Sequence, residues 1–167
     1  MAKFVVKRVI NEYPIVIPKL KLKGHIDTIL FAELDSTPIC IIIDFKTIGS
    51  YPYKKKFGRY NIDPNPSRHQ ELQLATYAVA VEKDFNISNS QLFIVYYNKD
   101  TSGLKVLEVK RKYMNEAIEY WTKVNEVCSK GLPELKTDES PIQEWECRYC
   151  QFLDICNLDR KFSLILI

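Results

Sequence analysis

Apolar residues recur along this chain with two periods. Across 19–34 they fall at Leu20, Leu22, Ile26, Ile29 and Phe31. That near-alternation predicts a strand with Gly24 in its interior, where a glycine marks a bulge or a close approach. Residues 1–12 read as an apolar and basic edge strand, and 13–17 as strand-like and punctuated by Pro14 and Pro18. Residues 35–38, Asp-Ser-Thr-Pro, predict a turn. Residues 39–43 are continuously apolar, Ile-Cys-Ile-Ile-Ile, as expected of a central strand buried on both faces of an α/β sheet. Helical spacing predicts a helix over 68–83, with Ser67 as its cap and Gln70 as the capping-box partner. Strands at 91–98 and 104–110 flank a hairpin-like turn. A further helix over 113–129 carries Met114, Ile118, Trp121, Val124 and Val127, and Gly131 and Pro133 stop it. Residues 47–67 break the periodicity and predict a long basic-aromatic loop.

With 167 residues, 46% hydrophobic and 27% charged, the chain has the composition of a packed domain, which excludes wholesale disorder and collagen-like structure. A core over 1–133 is expected, with a C-terminal cysteine motif over 134–167 packed on it. No apolar run approaches the ~18 residues of a membrane span, and the start lacks a secretory h-region. No membrane partner and an intracellular (cytoplasmic) location are therefore expected. The net charge of +3 does not by itself indicate nucleic acid. The five cysteines do change the picture. Cys147, Cys150 and Cys156 fall within ten residues, a spacing that suits metal ligation better than a disulfide framework.

The chemistry concentrates at the end of the 39–43 strand, in Asp44-Phe45-Lys46. Residues two apart in a strand share a face, so Asp44 and Lys46 stand side by side. Asp27, in Gly24-His25-Ile26-Asp27, is a second acid on the preceding strand, and the register across the 35–38 turn decides whether the two converge. Two carboxylates and a lysine suit metal-assisted phosphodiester hydrolysis, because Mg²⁺ and Mn²⁺ prefer oxygen ligands and activate water. A plain Asp–Lys ion pair is the alternative. Gln73 and Tyr77, with His69 one turn earlier, form one stripe of the 68–83 helix. Lys54, Lys55, Lys56 and Arg59, interleaved with Tyr51, Tyr53, Phe57 and Tyr60, suit a single strand, since cations follow phosphates and rings stack on bases. A solvated basic turn is the alternative here.

The series Glu12…Gly24-x-x-Asp27…Asp44-x-Lys46…Gln73-x-x-x-Tyr77 resembles the PD-(D/E)XK nuclease superfamily, and its Gln-x-x-x-Tyr helix resembles the RecB-like branch. The ending Cys147-x₂-Cys150-x₅-Cys156, beside Trp145 and Phe152, is similar to the cysteine signature of Cas4 and AddB-type nucleases. The resemblance spans about residues 10–156. It implies a restriction-endonuclease-like mixed α/β sheet flanked by helices, with the cysteine motif at the C-terminus. It also implies an Mg²⁺- or Mn²⁺-dependent deoxyribonuclease of exonuclease type. Asp27, Asp44 and the Phe45 carbonyl would be metal ligands, Lys46 the catalytic lysine, and Gln73 and Tyr77 would shape the site and contact DNA. The three cysteines would hold a [4Fe–4S] cluster.

Two features depart from the family pattern. Only eleven residues precede Glu12, and none is Cys or His, so the usual first cluster cysteine and metal histidine are absent from their place. His25, two residues before Asp27, is a candidate for the histidine. Cys128 and Cys40 are the remaining cysteines, and a labile or absent cluster is expected. The expected partner is DNA, single-stranded or at ends, together with nuclease, recombination or CRISPR-adaptation proteins. A nuclease-like module that binds nucleic acid or protein without cutting is the alternative function, and a zinc-binding protein with purely structural acids a third.

Overall fold

The computed structural model describes residues 3–58, 67–130, 148–151 and 153–154. Contacts divide the chain into two units, Met1–Glu126 and Val127–Ile167. The first holds a five-stranded sheet in the order β1-β2-β3-β4-β5. The strands are β1 (Phe4–Ile17), β2 (Leu22–Leu34), β3 (Thr37–Ile48), β4 (Ser90–Asn98) and β5 (Leu104–Val109). All pairs are antiparallel except β3 with β4, which run parallel. That pair needs a crossover, and the helices α1 (Ser50–Phe57) and α2 (Arg68–Asp84) lie within it. A third helix, α3 (Tyr113–Ser129), follows β5. No helix among the described residues is long and apolar enough to cross a membrane.

The stretches expected as two pieces, 1–12 and 13–17, are joined in one long edge strand, Phe4–Ile17, and Pro14 is tolerated there because an edge strand has a free side. The β2–β3 hairpin turns on Asp35 and Ser36, both at positive φ (48° and 69°), the backbone pattern of a two-residue turn that matches strand twist. This tight turn sets the register that pairs Thr28 with Ile43.

The main core lies between one sheet face and α2. Ile26, Ile29, Ile42, Leu92 and Ile94 meet Leu74, Ala78 and Val81 there. Leu74, Ala78 and Val81 recur at helical spacing and form the sheet-facing stripe of α2. α2 is also covered on its far side. The Trp121 indole N–H of α3 donates to Thr76 Oγ1 at 3.0 Å, and Arg68 pairs with Glu116. The second sheet face is less covered than the apolar run 39–43 suggests: Ile41 and Ile43 are half-buried and Phe45 is 52% exposed.

The expected 47–67 loop contains the helix α1. Pro52 sits in its first turn, where a missing N–H costs nothing. The amide of Ser50 donates to Asp100 Oδ2 at 2.6 Å, so the β4–β5 turn caps α1. Ser67 makes no capping hydrogen bond to α2; its hydroxyl lies 3.2 Å from the Tyr96 hydroxyl instead.

Candidate active site

Asp44 lies on β3 beside Cys40 and Ile42 on the face that α2 covers, and is 3% exposed. Alternation carries Lys46 onto the same face. The Lys46 ammonium donates to Asp44 Oδ1 at 3.1 Å and lies 2.8 Å from Oδ2. Oδ2 is buried and receives no directed hydrogen bond. Burial pushes the Asp44 carboxyl above the usual range, against the pull of Lys46, and the nearby Asp27 charge adds to the rise.

Asp27 reaches this point through an irregularity in β2. The register pairs Thr28 with Asn11 on one side and Ile43 on the other, and Ile26 with Tyr13. It therefore sets Asp27 between Glu12 and Asp44, yet Asp27 joins neither ladder. Glu12 has φ 52° and is exposed. Core residues of β2 step by three here, from Ile26 to Ile29, whereas a regular strand steps by two. Freed from the ladder, the Asp27 carboxylate accepts the main-chain N–H of Phe45 at 2.6 Å. The two acids and the Phe45 peptide thus meet at the end of β3. Among the described residues no group of three or more His, Cys, Asp and Glu side chains converges as a metal site.

From α2, Gln73 completes a chain of hydrogen bonds. Its Oε1 accepts from Lys46 Nζ at 3.1 Å, and its Nε2 donates to the Tyr77 hydroxyl at 2.9 Å. The helical i, i+4 spacing puts Gln73 and Tyr77 on one stripe. Tyr77 in turn abuts Gly24: a Cβ there would lie 3.2 Å from ring carbon Cε1. Gly24 therefore provides the space for the tyrosine and is not itself a bulge in the pairing, since it pairs regularly with Ile15.

The other expected site residues are placed differently. His25 is exposed, and its neighbours Gly24 and Ile26 face α2, so its ring leaves from the opposite sheet face. The three-residue step between Ile26 and Ile29 is why His25 and Asp27 do not share a face. Lys54 and Lys55 are exposed on α1, and the Lys55 ammonium lies 4.9 Å from the centre of the Tyr51 ring. Lys56 turns inward. Its ammonium donates to Gln70 Oε1 at 2.8 Å and to the Tyr96 hydroxyl at 3.0 Å, and lies 4.4 Å from the Tyr96 ring centre. Arg59, Tyr60, Cys147 and Cys156 lie outside the described residues; Cys150 and Cys128 are exposed and Cys40 is buried.

Sequence reasoning missed Tyr96 and gave Gln70 only a capping role. The Tyr96 hydroxyl donates to Gln70 and joins Lys56 to α2. Burial raises its pKa, and the Glu71 and Asp44 charges raise it further. Its signal lies in the parallel register, which pairs Tyr96 with Lys46, and that register cannot be read from spacing across a crossover.

This geometry can hold a hard cation. A buried carboxylate oxygen without a directed hydrogen bond, a second carboxylate across the register and an adjacent peptide carbonyl form an all-oxygen donor set of the kind Mg²⁺ and Mn²⁺ prefer. No curated protein matches the chain. Among solved structures it is similar to the crystal structure of SSO0001, at 20% identity and a TM-score of 0.42, over 93% of this chain and 60% of that one. The PD-(D/E)XK nuclease superfamily model matches residues 3–157, a span that contains both acids, Lys46 and the Gln73–Tyr77 helix, and the chain belongs to that superfamily.

Proposed function

We propose that this protein is a divalent-metal-dependent DNA nuclease. The observation that carries the reading is the buried Asp44 Oδ2, which has no directed hydrogen bond although Lys46 and Asp27 stand beside it. Asp44, Asp27 and the main-chain carbonyl of Phe45 would hold Mg²⁺ or Mn²⁺, which when bound supplies Lewis-acid polarisation of a phosphate oxygen and a more acidic water. The chain's own residues orient the reactants. Lys46, held between Asp44 and Gln73, presents an ammonium that positions water and offsets negative charge on the phosphate. Gln73 fixes that ammonium, and Tyr77 fixes Gln73.

The finer reading is a Cas4/RecB-like exonuclease acting on single strands or DNA ends. It rests on the Gln73-x₃-Tyr77 helix and on Cys147-x₂-Cys150-x₅-Cys156, which would hold a labile [4Fe–4S] cluster or none. The exposed Lys54 and Lys55 of α1, with Arg59 and Tyr60 beyond it, would follow the DNA backbone. Recombination or CRISPR-adaptation proteins would be the partners. Cleavage of labelled single- and double-stranded DNA with Mg²⁺, Mn²⁺ or chelator tests the reading. Metal-dependent cutting that disappears in Asp44→Ala is the expected result. DNA binding without cutting under every metal condition would favour the binding module instead.

A further inference from the structure

Gln73 and Tyr77 are both engaged within the protein, but the third residue of their stripe is not. His69 stands one turn before Gln73 on α2, about 5.4 Å further along the helix axis, and four residues apart means the same face. It is exposed, and its imidazole has no side-chain hydrogen bond or ion pair among the described residues. Two ammonium groups act on it, Lys46 from β3 and Lys56 from α1. Neither cation is idle: Lys46 is bonded to Asp44 and Gln73, and Lys56 to Gln70 and Tyr96. An exposed imidazole without a side-chain partner among the described residues, one turn from Gln73 and within the field of two anchored cations, is a place where a hydrogen-bond donor is available to an anion.

We propose that His69 contacts the substrate directly, donating to a non-bridging oxygen of a DNA phosphodiester held over Lys46. This rests on the nuclease reading and extends it by a residue and by the ligand it touches. The imidazole is suited to the role because its surroundings favour the neutral form in the empty site: partial desolvation lowers its pKa, and the fields of Lys56 and Lys46 lower it further. A phosphate bound against the imidazole sets a negative charge beside it, so the imidazole gains a proton and a charge-assisted hydrogen bond as DNA binds. Binding affinity would then couple to pH through His69, while His25, exposed on the other sheet face, would not respond.

The chain has two histidines, so NMR resolves both. In chelator, where no cutting occurs, the His69 imidazole is expected to titrate below the ordinary histidine value, and to move up by about one pH unit when a short oligothymidylate is added. The His25 signal should stay in place. In Mg²⁺ or Mn²⁺, His69→Ala should raise KM for that DNA about tenfold while kcat stays within about twofold, and His69→Gln should recover part of the loss through its amide donor. An unchanged melting curve for both variants would show that the loss is not unfolding. A His69 signal indifferent to DNA, with an unchanged KM in His69→Ala, would overturn the proposal while leaving a wild-type nuclease intact. A wild-type protein that neither binds nor cuts DNA would instead sink the nuclease reading and this proposal with it.

Discussion

The ring of Tyr77 fills the space that a side chain at Gly24 would need, with Cε1 only 3.2 Å and Oη 3.4 Å from where a Cβ would stand. A helix within the crossover, α2, thereby registers against β2. Tyr77 holds Gln73, Gln73 holds Lys46, and Lys46 holds Asp44. The glycine of the Gly24-x-x-Asp27 motif therefore acts on the lysine through three intervening contacts.

Gly24→Ala should accordingly cost about 1–3 kcal/mol, the range for overpacking, and lower turnover by displacing Tyr77 and Gln73. In a Tyr77→Ala background the same change should cost little, because the obstruction is gone and alanine is no worse than glycine in a strand. A double-mutant cycle in urea measures the coupling; additive costs would show that the contact does not transmit.

Asp44→Asn should eliminate activity without unfolding the protein. The folded-state pKa of Asp44 is raised, chiefly by burial. Its contribution to stability is therefore fully present below the unfolded pKa near 3.8 and is lost as pH rises through the raised folded value. At neutral pH the ionised carboxylate is a burden, so the metal-free Asn variant should melt no lower than wild type. Mn²⁺ at a hundred times its Kd should stabilise wild type by about 2.7 kcal/mol, and this shift should be absent in Asp44→Asn. Calorimetry with and without metal reads both effects. The metal-induced shift should shrink on acidification through the Asp44 titration.

Lys46→Met should lower turnover by about 10²–10⁴-fold, the range for a positioned acid–base or proton-ordering group. It should preserve the metal-induced melting shift, since the oxygen donors remain. Loss of that shift would mean that Lys46 is needed to shape the metal site itself.

Lys54 and Lys55 are exposed on α1, whereas Lys56 is tied inward to Gln70 and Tyr96. Replacing Lys54 and Lys55 together by Ala should reduce the salt slope of single-strand binding by about 1.4, at ~0.7 per phosphate contact. Lys56→Ala should instead destabilise the fold by about 2 kcal/mol, through charged hydrogen bonds and a cation–π contact. Fluorescence anisotropy at several salt concentrations, alongside denaturant melts, separates the two roles.

Cysteine reactivity should divide along burial. Cys40 is 5% exposed and its thiol is pushed up to about 11 by burial, with the Glu82 charge adding to the rise. At pH 8 in native protein it should resist alkylation, while the exposed Cys128 and Cys150 react. Mass spectrometry of iodoacetamide-treated protein checks this. Protection of Cys150 only in anaerobically purified protein, together with bound iron and sulfide, would point to a cluster at the C-terminal cysteines.

Periodicity and local spacing carry whatever depends on residues close together in the chain. The 39–43 apolar run, the 68–83 helical pattern and the turn expected at 35–38, which the structure confines to Asp35 and Ser36, are such cases, because alternation and helical repeat are written by consecutive side chains. Asp44 and Lys46 on one face, and Gln73 with Tyr77 on one stripe, follow from the same rule. The helix α1 escapes it: eight residues with a proline show no period, and its cap is Asp100, fifty residues from Ser50. The meeting of Asp27 with Phe45 and Asp44 escapes it too, since it needs both the hairpin register and a strand that drops out of phase between Ile26 and Ile29. The same phase change turns His25 away. Tyr96 joins Lys56 and Gln70 only because β4 lies parallel to β3 across a crossover of more than forty residues. Register and crossover are long-range choices, settled by which faces bury together, and no local pattern encodes them.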